Sequence, residues 1–261
     1  MKVLLFDLDD TLLRSDKTVS ERTLTVLNRC RKQGVLIGIS TSRSLPNSQA
    51  FLGMLAPEII IASGGALVQV RDRIVFRSEF SADEVRRFLR LVRELCGECE
   101  TTVDTQDVHY WNKVFDPAKV EANWGESVYC DFSTFSEPAL KICVEIHEEA
   151  VQERLISRFG PCDSIRFSET DWYKFTKPGV TKEGAITALC RALDITPAEI
   201  IAFGDDIPDI GMLRMCGLGV AMGNAREEVK AASDVVIGSN NTEAIAEYLE
   251  NHVLLHPDQE V

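Results

Sequence analysis

The sequence has little positive charge and no long apolar run. It carries 28 lysines and arginines against 41 aspartates and glutamates, which gives a net charge of −13 at pH 7. Nucleic acids and anionic membrane surfaces are bound through clustered basic residues, so this deficit argues against both partners. No apolar stretch is long enough to cross a bilayer, and the first residues lack the pattern of a signal peptide. We therefore expect a cytoplasmic protein.

Metal-binding patterns of cysteine and histidine are also lacking. The eight cysteines are dispersed, and the close pair Cys96 and Cys99 has no second pair to complete a zinc site. We interpret this pair as structural and the cysteines as reduced residues of a cytosolic protein. The four histidines show no ligand spacing, and we interpret all of them as structural or surface residues: His109, His147, His252 and His256.

The first feature that is present is an apolar run followed by three carboxylates. Residues 3–6 read VLLF, which is typical of a strand buried on both faces. Asp7, Asp9 and Asp10 follow at the carboxyl end, where open parallel sheets bind ligands. Strand alternation predicts that Asp7 and Asp9 lie on one side. Such closely packed charges need a cation or a shared proton, although a solvated acidic turn is the alternative interpretation.

The segments around this run predict an α/β fold with a Rossmann-like parallel-sheet core. Apolar strands are predicted over residues 35–40 and 58–62, and helices over 20–33 and 46–55 lie between the strands, with Ser20 as the N-cap of the first helix. This alternation indicates parallel strands with right-handed crossovers.

A second kind of pattern interrupts the core. Short strands that suit antiparallel pairing and two helices predict an inserted α+β cap domain, after which the first pattern returns. We therefore divide the chain into a first core part over residues 1–80, the cap over 81–176 and a second core part over 177–261.

Four polar clusters lie at strand or helix ends of the predicted core. They are Asp7 with Asp9, the Thr41-Ser42-Arg43 segment, Lys182, and Asp205 with Asp209. Three of them directly follow apolar runs, so we expect them to meet at one edge of the sheet. Acids gathered with a hydroxyl group and a lysine suit a hard cation together with a phosphoryl group.

These clusters resemble the four motifs of the haloacid-dehalogenase superfamily, and the chain is similar to its Cof-like branch. The matching segments are DLDDTLL, STSR, Lys182 in PGVTKEG, and GDDIPD, and the tail AMGNAREEVKAASDVVIGSNN also matches. The resemblance implies a Mg²⁺-dependent phosphatase that acts on a small phosphorylated metabolite, such as a sugar phosphate, through an aspartyl-phosphate. It also implies that the cap selects the substrate. We expect a monomer or a small homo-oligomer.

The resemblance further implies a role for each matched residue. Asp7 is the nucleophile and Asp9 is the general acid and base. Four residues hold the metal: Asp7, Asp9 through its backbone carbonyl, Asp205 and Asp209. Four residues bind the phosphate: Leu8, Thr41, Ser42 and Lys182.

Two positions depart from the family pattern, and alternatives remain open. Ser42 stands where the family usually has Gly, and Pro208 stands where it usually has Asn, which puts one phosphate or metal-loop contact in doubt. A phosphomutase of the same superfamily is the alternative enzyme. A phospho-accepting signalling module and a catalytically inactive binding protein are the non-enzymatic alternatives.

Overall fold

The structure is a computed structural model that describes residues 1–113, 127–167 and 170–254. The chain folds into two compact units. The first contains Met1–Thr41, Leu55–Val75 and the chain from Thr181 onward, and the second contains Ser42–Met54 and Phe76–Val180. Residues 42–54 therefore group with the second unit, which the sequence pattern did not suggest. The predicted domain boundaries stay predictions.

Strands and helices alternate along much of the described chain. The strands are β1 Val3–Phe6, β2 Leu36–Ser40, β3 Ile59–Ala62, β4 Leu67–Val70, β5 Arg73–Arg77, β6 Thr101–Asp104, β7 His109–Trp111, β8 Val128–Tyr129, β9 Lys141–Glu145, β10 Asp163–Arg166, β11 Trp172–Thr176, β12 Ile200–Gly204, β13 Leu218–Ala221 and β14 Val235–Val236. The helices are α1 Glu21–Lys32, α2 Leu45–Leu55, α3 Ala82–Cys96, α4 Glu149–Phe159, α5 Lys182–Leu193, α6 Ile210–Met215, α7 Glu227–Lys230 and α8 Ala244–His252.

An eight-stranded sheet confirms the predicted parallel core. Its strand order is β14-β13-β12-β1-β2-β3-β4-β5. Strand β1 lies in the middle, is fully buried, and pairs in parallel with both β2 and β12. Phe6 is level with Ile39 on one side and with Phe203 on the other. The residues that follow these three strands therefore emerge at the same edge of the sheet.

A six-stranded sheet with the order β10-β11-β9-β6-β7-β8 lies in the second unit, as do α3 and α4. Most of its strand pairs are antiparallel, which confirms the α+β character predicted for the insert. The apolar residues of one sheet face and the two helices share a core, in which the Phe88 ring contacts the rings of Phe159 and Phe175. The opposite sheet face is polar and carries Asp104, His109 and Lys141.

Three further observations bear on the expectations drawn from composition. In the described ranges, no helix combines the length and the apolar character needed to cross a membrane. All eight cysteines have free thiols. His147 is exposed and pairs with Asp171, whereas His109 is buried against Asp104. His256 lies outside the described residues.

Candidate active site

The loop after β1 begins the site. The strand ends at Phe6, and residues Leu8–Leu12 form a wide turn in which Asp9 and Asp10 depart from helical dihedral angles, Asp10 with a positive φ of 57°. Strand alternation therefore does not extend to Asp9. The Asp9 carboxylate instead lies 2.9 Å from the Lys17 ammonium, at a partly exposed position.

Asp7 belongs to a buried ion cluster with Lys182 and Asp209. The Lys182 ammonium donates to Asp7 Oδ1 and to Asp209 Oδ1, both at 2.6 Å. Asp7 is only 8% exposed, Lys182 3% and Asp209 1%. Lys182 is the first residue of α5, whose N-cap Thr181 accepts from the Gly184 N–H. The lysine charge therefore adds to the positive end of a helix.

The loop after β12 supplies the other two acids. The second carboxylate oxygen of Asp209 accepts from the backbone N–H groups of Asp205 and Asp206, at 3.1 Å and 3.2 Å. This close approach requires Gly204, because a Cβ there would lie 2.6 Å from the Asp209 Cβ. Pro208 lies in the short helical turn Ile207–Asp209, at a position that suits proline.

Asp205 is held against the first loop. Its Oδ1 accepts a hydrogen bond of 2.6 Å from the Thr11 hydroxyl. Thr11 is fully buried in the turn that follows Asp7. This contact joins the loop after β1 to the loop after β12, although 194 positions separate the two residues.

The acids and the lysine shift one another's protonation. Burial raises the pKa of Asp7 above its usual range, the Lys182 charge opposes this, and Asp209 and Asp205 add to the rise. Burial also raises the pKa of Asp205 to about 7, with the Thr11 hydrogen bond opposing and the Asp209 charge adding. Burial works to lower the pKa of Lys182, but the Asp209 and Asp7 carboxylates outweigh it and raise that pKa.

The arrangement fits a divalent cation. Asp7, Asp205 and Asp209 each offer a carboxylate oxygen, and these oxygens all lie within 4.8 Å of one another. One ammonium does not neutralise three ionised carboxylates, so a cation would relieve their repulsion. Oxygen donors of this type suit hard ions such as Mg²⁺ and Ca²⁺. These three residues could therefore hold a metal.

The other predicted phosphate-binding residues lie within two positions of the ends of β1 and β2. Thr41 is buried at the end of β2, where its N–H donates to the Ile61 carbonyl and its carbonyl accepts from the Gly64 N–H. Ser42 is the next residue and belongs to the second unit. The Leu8 side chain is fully buried, so only its backbone is available to a ligand.

Three residues around the first loop received no role from the sequence, Thr11, Lys17 and Asn240, whereas the sequence marked Asn224 as a turn residue or a neighbour of the site. Thr11 and Lys17 contact Asp205 and Asp9, as described above. The Asn224 side chain donates to the Asp10 carbonyl at 2.8 Å, and the Asn240 side chain donates to the Leu13 carbonyl at 3.1 Å. Thr11 and both asparagines lie within segments that match the family pattern, which is the signal that could have identified them.

Comparisons with known proteins find a hydrolase family and several phosphatases. Residues 4–249 match the haloacid dehalogenase-like hydrolase family. The chain is 30% identical over 266 residues to an HMP-PP phosphatase from Cronobacter sakazakii, covering 97% of this chain and 95% of that one. It is 27% identical over 248 residues to a phosphoglycolate phosphatase from Methanopyrus kandleri, covering 93% of each. A solved haloacid dehalogenase-like hydrolase from Bacteroides thetaiotaomicron shares the fold with a TM-score of 0.82 at 22% identity, covering 96% of this chain and 98% of that one.

Proposed function

The chain belongs to the haloacid dehalogenase-like hydrolases and is a phosphoric monoester hydrolase, and we propose that it releases phosphate from a small phosphorylated metabolite through an aspartyl-phosphate on Asp7. The observation that carries this proposal is the buried cluster of Asp7, Lys182 and Asp209 beside Asp205. A carboxylate held by a lysine beside a cation site suits attack on an anionic phosphoryl group, because both positive charges offset the repulsion between the reactants.

Asp7 and Asp9 divide the covalent chemistry between them. An Asp7 carboxylate oxygen attacks phosphorus, a new P–O bond forms, and the bond to the leaving alkoxide breaks. Asp9 gives its proton to the leaving oxygen. In the second half, Asp9 takes a proton from water, the water oxygen attacks phosphorus, and the bond to Asp7 breaks. Inorganic phosphate leaves and both carboxyl groups regain their starting states.

The phosphoryl oxygens are bound by the loops at the edge of the sheet. The Thr41 hydroxyl, the Ser42 backbone N–H and the Leu8 backbone N–H donate to them. Lys182 neutralises part of their charge while it orients Asp7. These groups hold the phosphorus in line with the attacking oxygen, which is most of what a phosphoryl transfer site must provide.

A magnesium ion fits the oxygen ligands of the site. Asp7, the Asp9 backbone carbonyl and Asp205 would hold it, with Asp209 in support. When bound, the ion would supply positive charge to the phosphoryl oxygens and to the attacking carboxylate. Asp209 would then serve mainly to fix the loop, because its own oxygens already contact Lys182 and two backbone N–H groups.

The test is phosphate release with Mg²⁺ from a panel of phosphorylated metabolites. The panel includes HMP-PP, phosphoglycolate, several sugar phosphates and an activated aryl phosphate. We expect release from at least one natural ester and a loss of more than about ten-thousandfold in Asp7→Asn, beyond the roughly 10²–10⁴-fold that acid–base help alone supplies. Asp206→Asn is the matched control, because Asp206 lies beside the site in the loop after β12 but pairs with Arg226 rather than with Lys182.

The other outcomes distinguish the alternatives. Transfer of the phosphoryl group to another position of the substrate without free phosphate would indicate a phosphomutase. A stable phosphoprotein with negligible turnover would indicate a phospho-accepting module. If the folded protein shows neither phosphorylation nor turnover, the result would indicate a catalytically inactive binding protein. Any of these three results overturns the proposal.

A further inference from the structure

A second group of buried charges lies in the second unit, on the polar face of its six-stranded sheet. The group comprises Asp104 of β6, His109 of β7 and Lys141 of β9, and we call it the cap triad. In the strand register, Asp104 is paired with His109 on one side and with Lys141 on the other. The three side chains therefore form one row across adjacent strands.

The cap triad is buried and ionically paired. Asp104 is fully buried, and the side chain of Lys141 is only 8% exposed. The Lys141 ammonium lies 2.8 Å from Asp104 Oδ2, and His109 Nδ1 hydrogen bonds to Asp104 Oδ1. Burial would raise the pKa of Asp104, but the Lys141 charge and the His109 hydrogen bond outweigh it and lower that pKa to about 2.

Stability alone gives no reason for this ion pair. Removing two charges from water is costly, and well-packed apolar residues at such positions are often equally stable. The ammonium has a second contact, however. Lys141 Nζ donates a hydrogen bond of 2.8 Å to the backbone carbonyl of Ser42. The pairing with Asp104 therefore holds a charged donor at the segment that directly follows Thr41.

Ser42 is restrained at both of its peptide groups. The Thr41 carbonyl, in the peptide that also carries the Ser42 N–H, accepts from the Gly64 N–H at 3.0 Å. The Ser42 carbonyl, in the next peptide, accepts from Lys141. A residue fixed at both flanking peptides has little freedom to rotate its N–H. Gly64 lies two residues after the end of β3, the neighbour of β2, whereas Lys141 is 99 positions away from Ser42.

We propose that Lys141 is a positioning residue for phosphate binding: its hydrogen bond to the Ser42 carbonyl holds the Ser42 N–H in the direction in which it donates to the phosphoryl group. Asp104 keeps the ammonium in place, and His109 orients Asp104. The inference rests on the proposed function, because it takes the Ser42 N–H as a phosphate donor. A residue of the insert thereby contributes to phosphate binding through the backbone of the segment after β2.

The experiment compares variants that keep and lose the ammonium. Lys141→Met alone would strand the Asp104 charge, so the informative variant is the Asp104→Asn/Lys141→Met double substitution. The Glu84→Gln/Lys177→Met double substitution is the matched control, because it removes another partly buried ion pair of the second unit, 2.7 Å apart, and leaves the Lys141 ammonium on the Ser42 carbonyl. Inorganic phosphate is titrated calorimetrically, kcat and KM are measured on an aryl phosphate, and circular dichroism reports the fold.

We expect the double variant to bind inorganic phosphate about tenfold more weakly, the effect of losing roughly one hydrogen bond to an anion. Its KM should rise more than its kcat falls, and the control should keep phosphate affinity within about twofold. A merely structural triad would instead weaken phosphate binding in both variants in proportion to their loss of stability. That pattern, or an unchanged phosphate affinity in the folded double variant, overturns the proposal.

Two further measurements separate the possible failures. If the double variant does not fold, an apolar triple variant, Asp104→Leu/His109→Leu/Lys141→Leu, removes every charge of the triad and gives the same comparison. Direct phosphate binding does not depend on turnover. Wild-type protein that binds phosphate but hydrolyses no ester would overturn the proposed function. The phosphate affinities of the variants would still show whether Lys141 contributes to phosphate binding.

Discussion

The Lys182 ammonium lies 2.6 Å from Asp7 Oδ1, although 175 positions separate the two residues. The same ammonium lies 2.6 Å from Asp209 Oδ1. Lys182 is therefore the one cation that directly contacts both carboxylates among the ion pairs of the described chain. The proposed nucleophile is fixed by a group that also balances part of the charge of the proposed metal site.

Lys182→Met should remove activity and destabilise the protein. The variant leaves two buried carboxylates without their counter-charge, and breaking a buried pair in this way costs about 3–5 kcal/mol. Denaturant unfolding without metal measures this loss, and phosphate release measures activity. Lys17→Met is the control, because its partner Asp9 is partly exposed and little stability should be lost. Near-wild-type stability of Lys182→Met would show that the carboxylates take up protons at little cost.

Activity should require magnesium, and calcium should suppress it. Both ions can be coordinated by the carboxylate oxygens of Asp7, Asp205 and Asp209, but calcium takes more ligands at longer distances. Calcium should therefore displace the Asp7 carboxylate from the position needed for attack. The measurement is phosphate release after chelation and after re-addition of each ion. Full activity in the chelated protein would contradict the metal assignment.

The metal-free protein should lose stability between about pH 4 and pH 8 because of Asp205. Its pKa is about 7 in the folded state and about 4 when unfolded, so the folded state binds the proton more tightly. The stabilisation is complete below about pH 4 and is lost as the pH rises through 7, by at most about 4 kcal/mol.

Asp205→Asn isolates this effect from other titrations. The variant keeps an oxygen for the Thr11 hydroxyl but has no proton to lose. The free energy of unfolding of both proteins is measured with denaturant at pH 5 and pH 8. Between these two pH values it should fall further for the wild type than for the variant. Magnesium should restore wild-type stability at pH 8 and have a smaller effect on the variant. Parallel pH profiles for the two proteins would mean that Asp205 does not titrate in this range.

Pro208→Asn should keep or improve activity, chiefly through a lower KM. Pro208 lies in the turn Ile207–Asp209, and the family usually has Asn there. An added amide donor contributes about 0.5–1.5 kcal/mol when it reaches an acceptor, which corresponds to a change in KM of about two- to tenfold. Steady-state kinetics on one ester measure the change in KM. Pro208→Ala is the control, because its side chain has no amide donor. A large loss in folded Pro208→Asn would show that the loop depends on the proline.

Much of the fold was predictable because local chemistry encodes it. The run VLLF must be buried on both faces, and β1 is the central, fully buried strand. Ser20 was predicted to cap the first helix, and its hydroxyl accepts from the Thr23 N–H at 3.1 Å. The parallel order of β1, β2 and β12 also follows from the alternation of strands and helices.

The acids and the lysine of the candidate site were predicted from their place after apolar runs and from the family pattern. Their partners were not. Thr11 gave no sign that it would contact Asp205, and Asp9 was expected beside Asp7 rather than against Lys17. These contacts depend on the wide turn at Leu8–Leu12, which ends the strand periodicity on which the expectation relied.

The sequence by itself therefore determined the parallel core, the antiparallel insert and the set of acids, because apolar periodicity and the position of polar residues at strand ends are local properties. Only the tertiary structure decided which charges meet. Lys182 reaches Asp7 and Asp209, and Lys141 reaches Asp104 and the Ser42 carbonyl, through packing between segments far apart in the chain. Ion pairs of this kind depend on distances of a few ångströms, and those distances are set by how strands and helices pack rather than by any local pattern.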